Sequence, residues 1–293
     1  MTRFYLCLLL FVFCSLTLTA QRSVIVDADT GNEVDDLYAL VRILMDPSVE
    51  VSALCAAHWQ TSHWSVPNSM ENSHRLNQQL LGEMGISVPT LRGGEARMYD
   101  WGDRARHSAA SYEIIRQATE RDSVEILVLG ALTNVASAVF ISPEIAPKLR
   151  IYWLGTTMDF ESGILKRNDF NALMDPYALD FLLDSDAQMQ IMPINTAQAM
   201  EIRQDVLKRE TGSHPLGAYL LRRWEDHLDG SRNSRTLWDL ALVAAFLRPE
   251  VATLEVVRTS RDSGDRPIRF YSTINTEEIY RDFFERLLMY QRP

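Results

Sequence analysis

Five acidic residues lie within the ten positions from Asp27 to Asp36, directly after the apolar run Ser23-Val-Ile-Val26. The β-branched run predicts a buried strand, and Leu37-Tyr-Ala-Leu-Val-Arg-Ile-Leu44, which follows the acids, predicts a helix. The carboxylates therefore lie at the carboxyl end of a strand, where open α/β sheets bind their ligands. Because so many like charges repel one another, the segment predicts a hard divalent cation with oxygen ligands.

A simpler interpretation explains only part of this segment. Asp35 and Asp36 can be acids that the macrodipole favours at a helix N-terminus. This interpretation does not explain Asp27 and Asp29 at the end of the strand. Aspartate is depleted in strands, and the alternation of a strand turns both side chains to the same side. The spacing therefore favours a metal-binding or catalytic role.

The first twenty residues have the pattern of a secretory signal peptide. Met1-Thr-Arg3 is a short basic start, Phe4 to Leu18 is almost free of polar residues, and cleavage is expected after Ala20. The apolar stretch is shorter than a membrane span, so we expect an exported chain in a bacterial periplasm, without membrane insertion. A lipoprotein cleaved at Cys14 is the weaker alternative, because it would begin with an apolar stretch.

Charge and cysteine content narrow the class further. The net charge of −10 argues against nucleic acid as a partner, since phosphate binding needs a basic surface. Cys55 is the single cysteine after residue 20, so stability must come from an apolar core and not from disulfides.

Strand-like and helix-like segments alternate from residue 21 to 293 without a repeat or linker, which predicts one domain. Such alternation predicts an α/β fold of three layers, with a mostly parallel central sheet and helices on both faces. Further strands are expected at 49–56, 124–129, 149–154, 189–192, 251–257 and 268–271. Further helices are expected at 70–81, from 135, and at 176–183, 215–227, 237–246 and 276–290.

Four blocks resemble, in the same order, the inosine-uridine-preferring nucleoside hydrolase family. They are Asp27-Ala-Asp29-Thr-Gly31-Asn-Glu-Val-Asp35-Asp36, Gly130-Ala-Leu-Thr133-Asn134, Asn168-Asp169-Phe170-Asn171 with Asp175-Pro176, and Trp238-Asp239-Leu-Ala-Leu. Each block is short, but the shared order makes the resemblance specific, and it covers essentially the whole chain after residue 20.

The resemblance implies calcium-dependent hydrolysis of the N-glycosidic bond of ribonucleosides. The implied calcium (Ca2+) ligands are Asp29, Asp36, Asp239 and the backbone carbonyl of Thr133. Asp29 would also be the base that takes a proton from the attacking water, and Asp27 would orient the ligands from behind. Family members are commonly homo-oligomers, so the resemblance also implies a dimer or tetramer.

The resemblance also implies a set of sugar-binding residues. Asn32, Asp35, Asp169 and Asn171 would hold ribose hydroxyls, and Asn168 is a candidate for the 5′ side. Ordinary structural roles remain open for several of these positions. Asp239 can be a helix N-terminal acid, Asp169 and Asn171 can be turn residues, and Thr133-Asn134 can be an N-cap.

The sequence departs from the family in two places. Extra residues lie between Asp29 and Asp35, so the turn that contacts ribose is longer. Trp238 stands where many pyrimidine-capable members carry a histidine that protonates the leaving base, which slightly favours purines, stacked on Trp238. The other side of such a stack is expected to come from Trp59 and Trp64, and His58 or His63 is an alternative acid.

Three other functions are weighed against this one. A ribohydrolase for another ribosyl compound, such as nicotinamide riboside, would keep the sugar-binding residues and change only the base pocket. A catalytically inactive calcium-dependent sugar-binding protein would not need Asp29. A magnesium-dependent phosphohydrolase would need basic residues for phosphate, which the segment from Asp27 to Asp36 lacks.

Overall fold

The computed structural model describes residues 21–62, 65–99, 102–259 and 265–293. The expected signal peptide, His63 and Trp64 lie outside the described residues. The strands are β1 Arg22–Ala28, β2 Val49–Ala56, β3 Thr90–Arg92, β4 Val124–Val128, β5 Leu149–Leu154, β6 Thr157–Asp159, β7 Ile164–Lys166, β8 Gln188–Met192, β9 Glu201–Arg203, β10 Ser234–Thr236, β11 Ala252–Arg258 and β12 Pro267–Ile274.

Within the described residues, the central sheet has eight strands in the order β11-β12-β8-β5-β4-β1-β2-β3. All neighbouring strands are parallel except β11 and β12, which form an antiparallel pair at one edge. Strand β1 lies inside the sheet, with Val26 between Leu54 of β2 and Leu127 of β4. The predicted mostly parallel sheet is confirmed.

Helices cover both faces of this sheet. They are α1 Asp35–Leu44, α2 Ser69–Met84, α3 Ala109–Glu120, α4 Thr133–Ile141, α5 Phe170–Met174, α6 Pro176–Leu183, α7 Ile194–Ala197, α8 Gln204–Thr211, α9 Pro215–Asp226, α10 Trp238–Leu247 and α11 Thr276–Met289, with 3₁₀ turns at Pro143–Lys148 and Pro249–Val251. No helix within the described ranges combines the length and apolarity needed to cross a bilayer.

Strand β1 contributes to a large apolar core on each face of the sheet. Val24, Val26 and Ala28 belong to the core on the side of α1, α10 and α11. Ile25 belongs to the core on the side of α3, α4 and α6. Because both faces are covered, β1 is apolar at consecutive positions, and polar residues become possible only where the strand leaves the core.

The predicted element bounds hold within a few residues. β2, β5 and α6 have the predicted bounds, whereas the helix expected from residue 135 begins at Thr133. The sequence did not predict α3, α5, α7, α8 or the short strands β3, β6, β7, β9 and β10. Among the described residues, β6 pairs only with β7 and β9 only with β10, outside the central sheet.

Candidate active site

The carboxyl end of β1 brings Asp27 and Asp29 to the edge of the sheet. Asp27 is still in the strand, paired between Cys55 of β2 and Val128 of β4. Its Oδ1 accepts a hydrogen bond of 2.9 Å from Nδ2 of Asn134. Burial raises the pKa of Asp27 to about 7, and the Asn134 bond opposes that rise. Asp27 therefore lies within the sheet, two residues before Asp29, which follows the end of β1.

A compact turn connects Asp29 to α1. The N–H of Asn32 donates to the carbonyl of Asp29 at 2.8 Å, and Thr30 Oγ1 donates to Asn77 Oδ1 at 2.5 Å. A Cβ atom on Gly31 would lie 2.7 Å from Oδ1 of Asn72, so a side chain at this position would force the Asn72 side chain to move.

Three aspartates form a buried cluster where α1 and α10 pack together. One carboxylate oxygen each from Asp35, Asp36 and Asp239 lies within 4.8 Å of the other two. Asp35 and Asp36 are in the first turn of α1, and Asp239 is in the first turn of α10. The acids that a helix N-terminus attracts therefore converge on one point, so the helix-terminal interpretation of Asp239 and a ligand role are compatible.

Several oxygens of this site are buried without a donor. Among the described residues, Oδ2 of Asp29, Oδ1 of Asp36 and Oδ1 of Asp239 accept no hydrogen bond. Burial raises the pKa of each of these carboxyls well above its ordinary range, and the charges of neighbouring aspartates raise it further. A hard divalent cation would satisfy the oxygens and favour the charged forms, so the residues present fit such an ion.

The compact cluster and the expected ligand set overlap in part. They share Asp36 and Asp239, whereas Asp35, expected to bind ribose, belongs to the cluster. Asp29 lies close enough for its charge to raise the pKa of Asp36. The assignment of Asp29 to the metal and of Asp35 to the sugar stays a prediction.

Thr133 is held in place by a chain of buried hydrogen bonds. The N–H of Gln60 donates to Nδ1 of His58, so the proton of the imidazole is assigned to Nε2, which donates to Thr133 Oγ1 at 2.9 Å. Thr133 Oγ1 in turn donates to Oδ2 of Asp175 at 2.6 Å. These bonds place Thr133 at the start of α4, and its expected role as a carbonyl ligand stays a prediction.

Two alternatives for these residues are not supported by this geometry. Burial lowers the pKa of His58 to about 4, so this ring is neutral near pH 7 and both nitrogens are already bonded. The N-cap of α4 is Leu132, without a side-chain cap, so the N-cap interpretation of Thr133-Asn134 is wrong. Asn134 instead bonds Asp27, the Ala56 carbonyl and the Gly94 N–H.

Asp169 and Asn171 tie the segment before α5 to the sheet. The Asp169 carboxylate caps α5 through the N–H groups of Asn171 and Ala172. Nδ2 of Asn171 donates to the carbonyls of Leu129 at 2.7 Å and Leu154 at 2.9 Å, which follow β4 and end β5. Asp169 is therefore the N-cap of α5, and ribose binding by Asp169 or Asn171 stays a prediction. Asn168, the candidate for the 5′ side, is exposed.

The two described candidate tryptophans differ in burial. Trp238 is half-buried and packs against the core on the α1 side. Trp59 is buried in a small apolar cluster with Ala131 and Met174, and Phe170 packs against that cluster. The cluster is formed by segments that follow β2, β4 and β7, so it lies at the same edge of the sheet as Asp29. Base stacking by either tryptophan stays a prediction.

Two charged residues near the turn were not assigned from the sequence. Burial raises the pKa of Glu33 to about 7, Asp35 raises it further, and the positive charge of Arg235 lowers it. Arg235, in β10, is only 4% exposed. The acid-rich segment was a signal for Glu33, but no sequence pattern connects Arg235 with it.

The fold and the site define an α/β protein with a buried carboxylate cluster at the strand carboxyl edge. Residues 24–278 match the profile of the inosine-uridine preferring nucleoside hydrolase family. The chain therefore belongs to this family, whose members are N-ribohydrolases.

Individual proteins agree with the family match. The non-specific ribonucleoside hydrolase RihC of Salmonella newport is 23% identical over 256 residues, which cover 81% of this chain and 82% of that protein. A plant nucleoside hydrolase, PpNRh1, has a TM-score of 0.70 at 19% identity and covers 92% of this chain and 99% of its own. An inosine-guanosine nucleoside hydrolase has a TM-score of 0.67 at 18% identity, covering 93% and 100%. These structures support the same fold.

Proposed function

We propose that this protein hydrolyses the N-glycosidic bond of ribonucleosides, releasing ribose and the free base, with calcium as its metal and a slight preference for purines. The observation that supports the proposal is the set of buried carboxylate oxygens on Asp29, Asp36 and Asp239 that have no hydrogen-bond partner among the described residues. In a family of ribohydrolases, such a set is suited to a cation and to a cationic transition state.

The carboxylates suit the charge that develops during this reaction. Cleavage of an N-glycosidic bond passes through an oxocarbenium-like state, which negative groups around the sugar stabilise. Asp29 would take the proton of the attacking water, since its Oδ2 is unbonded among the described residues. When bound, Ca2+ would favour the charged carboxylates, lower the pKa of water and help to hold sugar hydroxyls.

Ribose would be positioned by residues on three segments. Asp35 begins α1, Asn32 lies in the turn before it, and Asn171 has its amide nitrogen bonded to two strand-end carbonyls. Those bonds fix the orientation of the Asn171 side chain and leave Oδ1 for a sugar hydroxyl. Rigid positioning of the sugar keeps the anomeric carbon near the attacking water.

The base preference rests on aromatic side chains. With His58 neutral and bonded through both ring nitrogens, stacking on Trp238 is the better-supported way to activate the leaving base. A ribohydrolase for another ribosyl compound is the second candidate, because it would use the same carboxylates and differ only around Trp238 and Trp59.

Two further properties belong to the proposal. The apolar pattern of residues 4–18 supports export, with the bacterial periplasm as the location and nucleoside salvage as the role. A dimer or tetramer is proposed from the family resemblance alone.

The test is ribose release by the chain from Gln21 onward. Inosine, guanosine, adenosine, uridine, cytidine and nicotinamide riboside are each incubated with Ca2+ and with a chelator, and Asp29→Asn is the matched inactive variant. We expect chelator-sensitive release that is fastest from purines. Release from none of the six compounds, with Ca2+ binding confirmed by calorimetry, would contradict the proposal and favour a binding protein.

A further inference from the structure

Three residues after α9 form a connected unit, which we call the His227 bracket: His227, Asp229 and Arg235. Nδ1 of His227 lies 2.6 Å from Oδ1 of Asp229, and Nε2 lies 3.0 Å from the carbonyl oxygen of Asn32. Arg235 donates to the same Asp229 oxygen, and its guanidinium lies 5.3 Å from the ring centre of Trp224. Nη2 of Arg235 also lies 3.4 Å from Nδ1 of His227, and Nε2 of His227 donates to the Asn32 carbonyl, which can only accept.

The bracket reaches the site from a distant part of the chain. His227 and Asn32 are 195 positions apart, and their hydrogen bond joins the segment between α9 and β10 to the turn that follows β1. Arg235 is buried, and its Nε and Nη1 have no hydrogen-bond partner among the described residues. The buried positive charge of Arg235 therefore lies near the acid-rich turn, where it opposes the rise in the pKa of Glu33 and of Asp35.

The turn needs such support because of its length and composition. It carries extra residues between Asp29 and Asp35 relative to the family's commonest spacing, and Val34, the N-cap of α1, makes no side-chain cap. The Asn32 N–H donates to the backbone carbonyl of Asp29 at 2.8 Å. His227 bonds the carbonyl of Asn32, so both backbone groups of this residue are hydrogen-bonded. Loss of His227 would remove the hydrogen bond that joins the turn to the segment after α9, without removing any carboxylate.

We infer that the His227 bracket is a positioning unit that fixes the turn of residues 30–34, and with it Asp35, in the geometry that binds ribose. The inference rests on the proposed function, because it assigns the bracket to the sugar side of that reaction. It predicts that the bracket affects sugar affinity more than metal affinity.

The test compares two histidines at the two ends of α9. His214, before α9, is also half-buried, and its Nε2 lies 2.9 Å from a backbone carbonyl, that of Tyr290, so His214→Ala is the matched control. For His227→Ala we expect kcat/KM for the best nucleoside to fall about tenfold, mainly through KM, as expected for the loss of one hydrogen bond. Ribose affinity measured by calorimetry should fall in parallel, and Ca2+ affinity should stay within about twofold.

Conservative variants keep the test decisive if His227→Ala does not fold. His227→Gln retains a donor for the Asn32 carbonyl and should recover part of the KM, and Asp229→Asn should lower ribose affinity in the same direction. Equal effects of His227→Ala and His214→Ala on KM and ribose affinity would overturn the inference. A wild-type protein without ribose release would contradict the proposed function instead, and ribose affinity would still decide the role of the bracket.

Discussion

The backbone N–H of Asp239 points at the carboxylate of Asp35, with 3.4 Å between the nitrogen and Oδ2. The two residues are 204 positions apart and lie in the first turns of α10 and α1. Two helix N-termini therefore meet at one acidic cluster, where their dipoles favour negative charge. Burial is the stronger effect, because the pKa of both carboxyls is raised in the protein without metal.

Substitution of a cluster aspartate should separate metal binding from folding. We expect Asp36→Asn to lower Ca2+ affinity by about 100-fold or more, since even the partners of metal ligands contribute about 10- to 100-fold. In chelator, the same variant should be at least as stable as the wild type, because it removes a buried charge that repels Asp29 and Asp35. Calorimetry and thermal unfolding with and without Ca2+ measure both effects.

An exposed acid provides the control for that variant. Glu144→Gln changes the net charge equally, but Glu144 is exposed in the 3₁₀ turn Pro143–Lys148. It should alter neither Ca2+ affinity nor the stabilisation by Ca2+. A loss of stability by Asp36→Asn in chelator would show that the cluster is not strained by charge repulsion in the metal-free protein.

The metal-free protein should lose stability as the pH rises. The pKa of Asp27 and of Glu33 is raised to about 7 in the folded state, above the value of about 4 for unfolded carboxyls. The fold therefore favours the protonated forms, and the stability that they contribute is lost as the pH rises from about 4 through 7. In chelator, the melting temperature should fall between pH 5 and 8, and saturating Ca2+ should reduce the fall. A melting temperature that rises with pH in chelator would refute this.

The sequence predicted the strands that are long and mostly apolar. β2 and β5 each end in four consecutive buried residues, so their hydrophobic pattern indicated them, whereas three-residue strands such as β6 and β9 are too short for any pattern to show. α3 begins with a capping box in which Ser111, not glutamate or glutamine, is the third helical residue, so the usual start pattern is absent.

The residues of the site likewise divide into those that a sequence pattern indicates and those that it does not. Asp29 and Asp36 could be singled out because acids cluster between a strand end and a helix start, whereas Asp239 was assigned through the family resemblance of Trp238-Asp239-Leu-Ala-Leu. His227 and Arg235 were not predicted, because their roles depend on contacts with a turn about 200 positions earlier, which no local pattern encodes. The capping role of Asp169 could be recognised only from its hydrogen bonds in the fold.

Two neighbouring asparagines should respond differently to the same substitution. Asn171→Ala leaves the carbonyls of Leu129 and Leu154 without their donor, so we expect a loss of about 2 to 3 kcal/mol in the free energy of unfolding. Asn168→Ala, at an exposed position, should change it by less than about 0.5 kcal/mol. Urea unfolding of both variants measures the difference. Similar losses would mean that the bonds of Asn171 contribute little.

Alanine substitutions can be compared at two glycines, Gly130 beside Asp29 and Gly82 in α2. A Cβ on Gly130 would lie 2.7 Å from Oδ1 of Asp29, so Gly130→Ala must displace that carboxylate. We expect kcat to fall at least about 100-fold, because a shift of about 1 Å in a reacting group has that effect. Gly82→Ala, in α2 with no atom of the described residues within 4 Å of the added Cβ, should keep kcat and stabilise the protein by up to about 1 kcal/mol. Steady-state kinetics and thermal unfolding measure both, and an unchanged kcat in Gly130→Ala would remove Asp29 from the reaction.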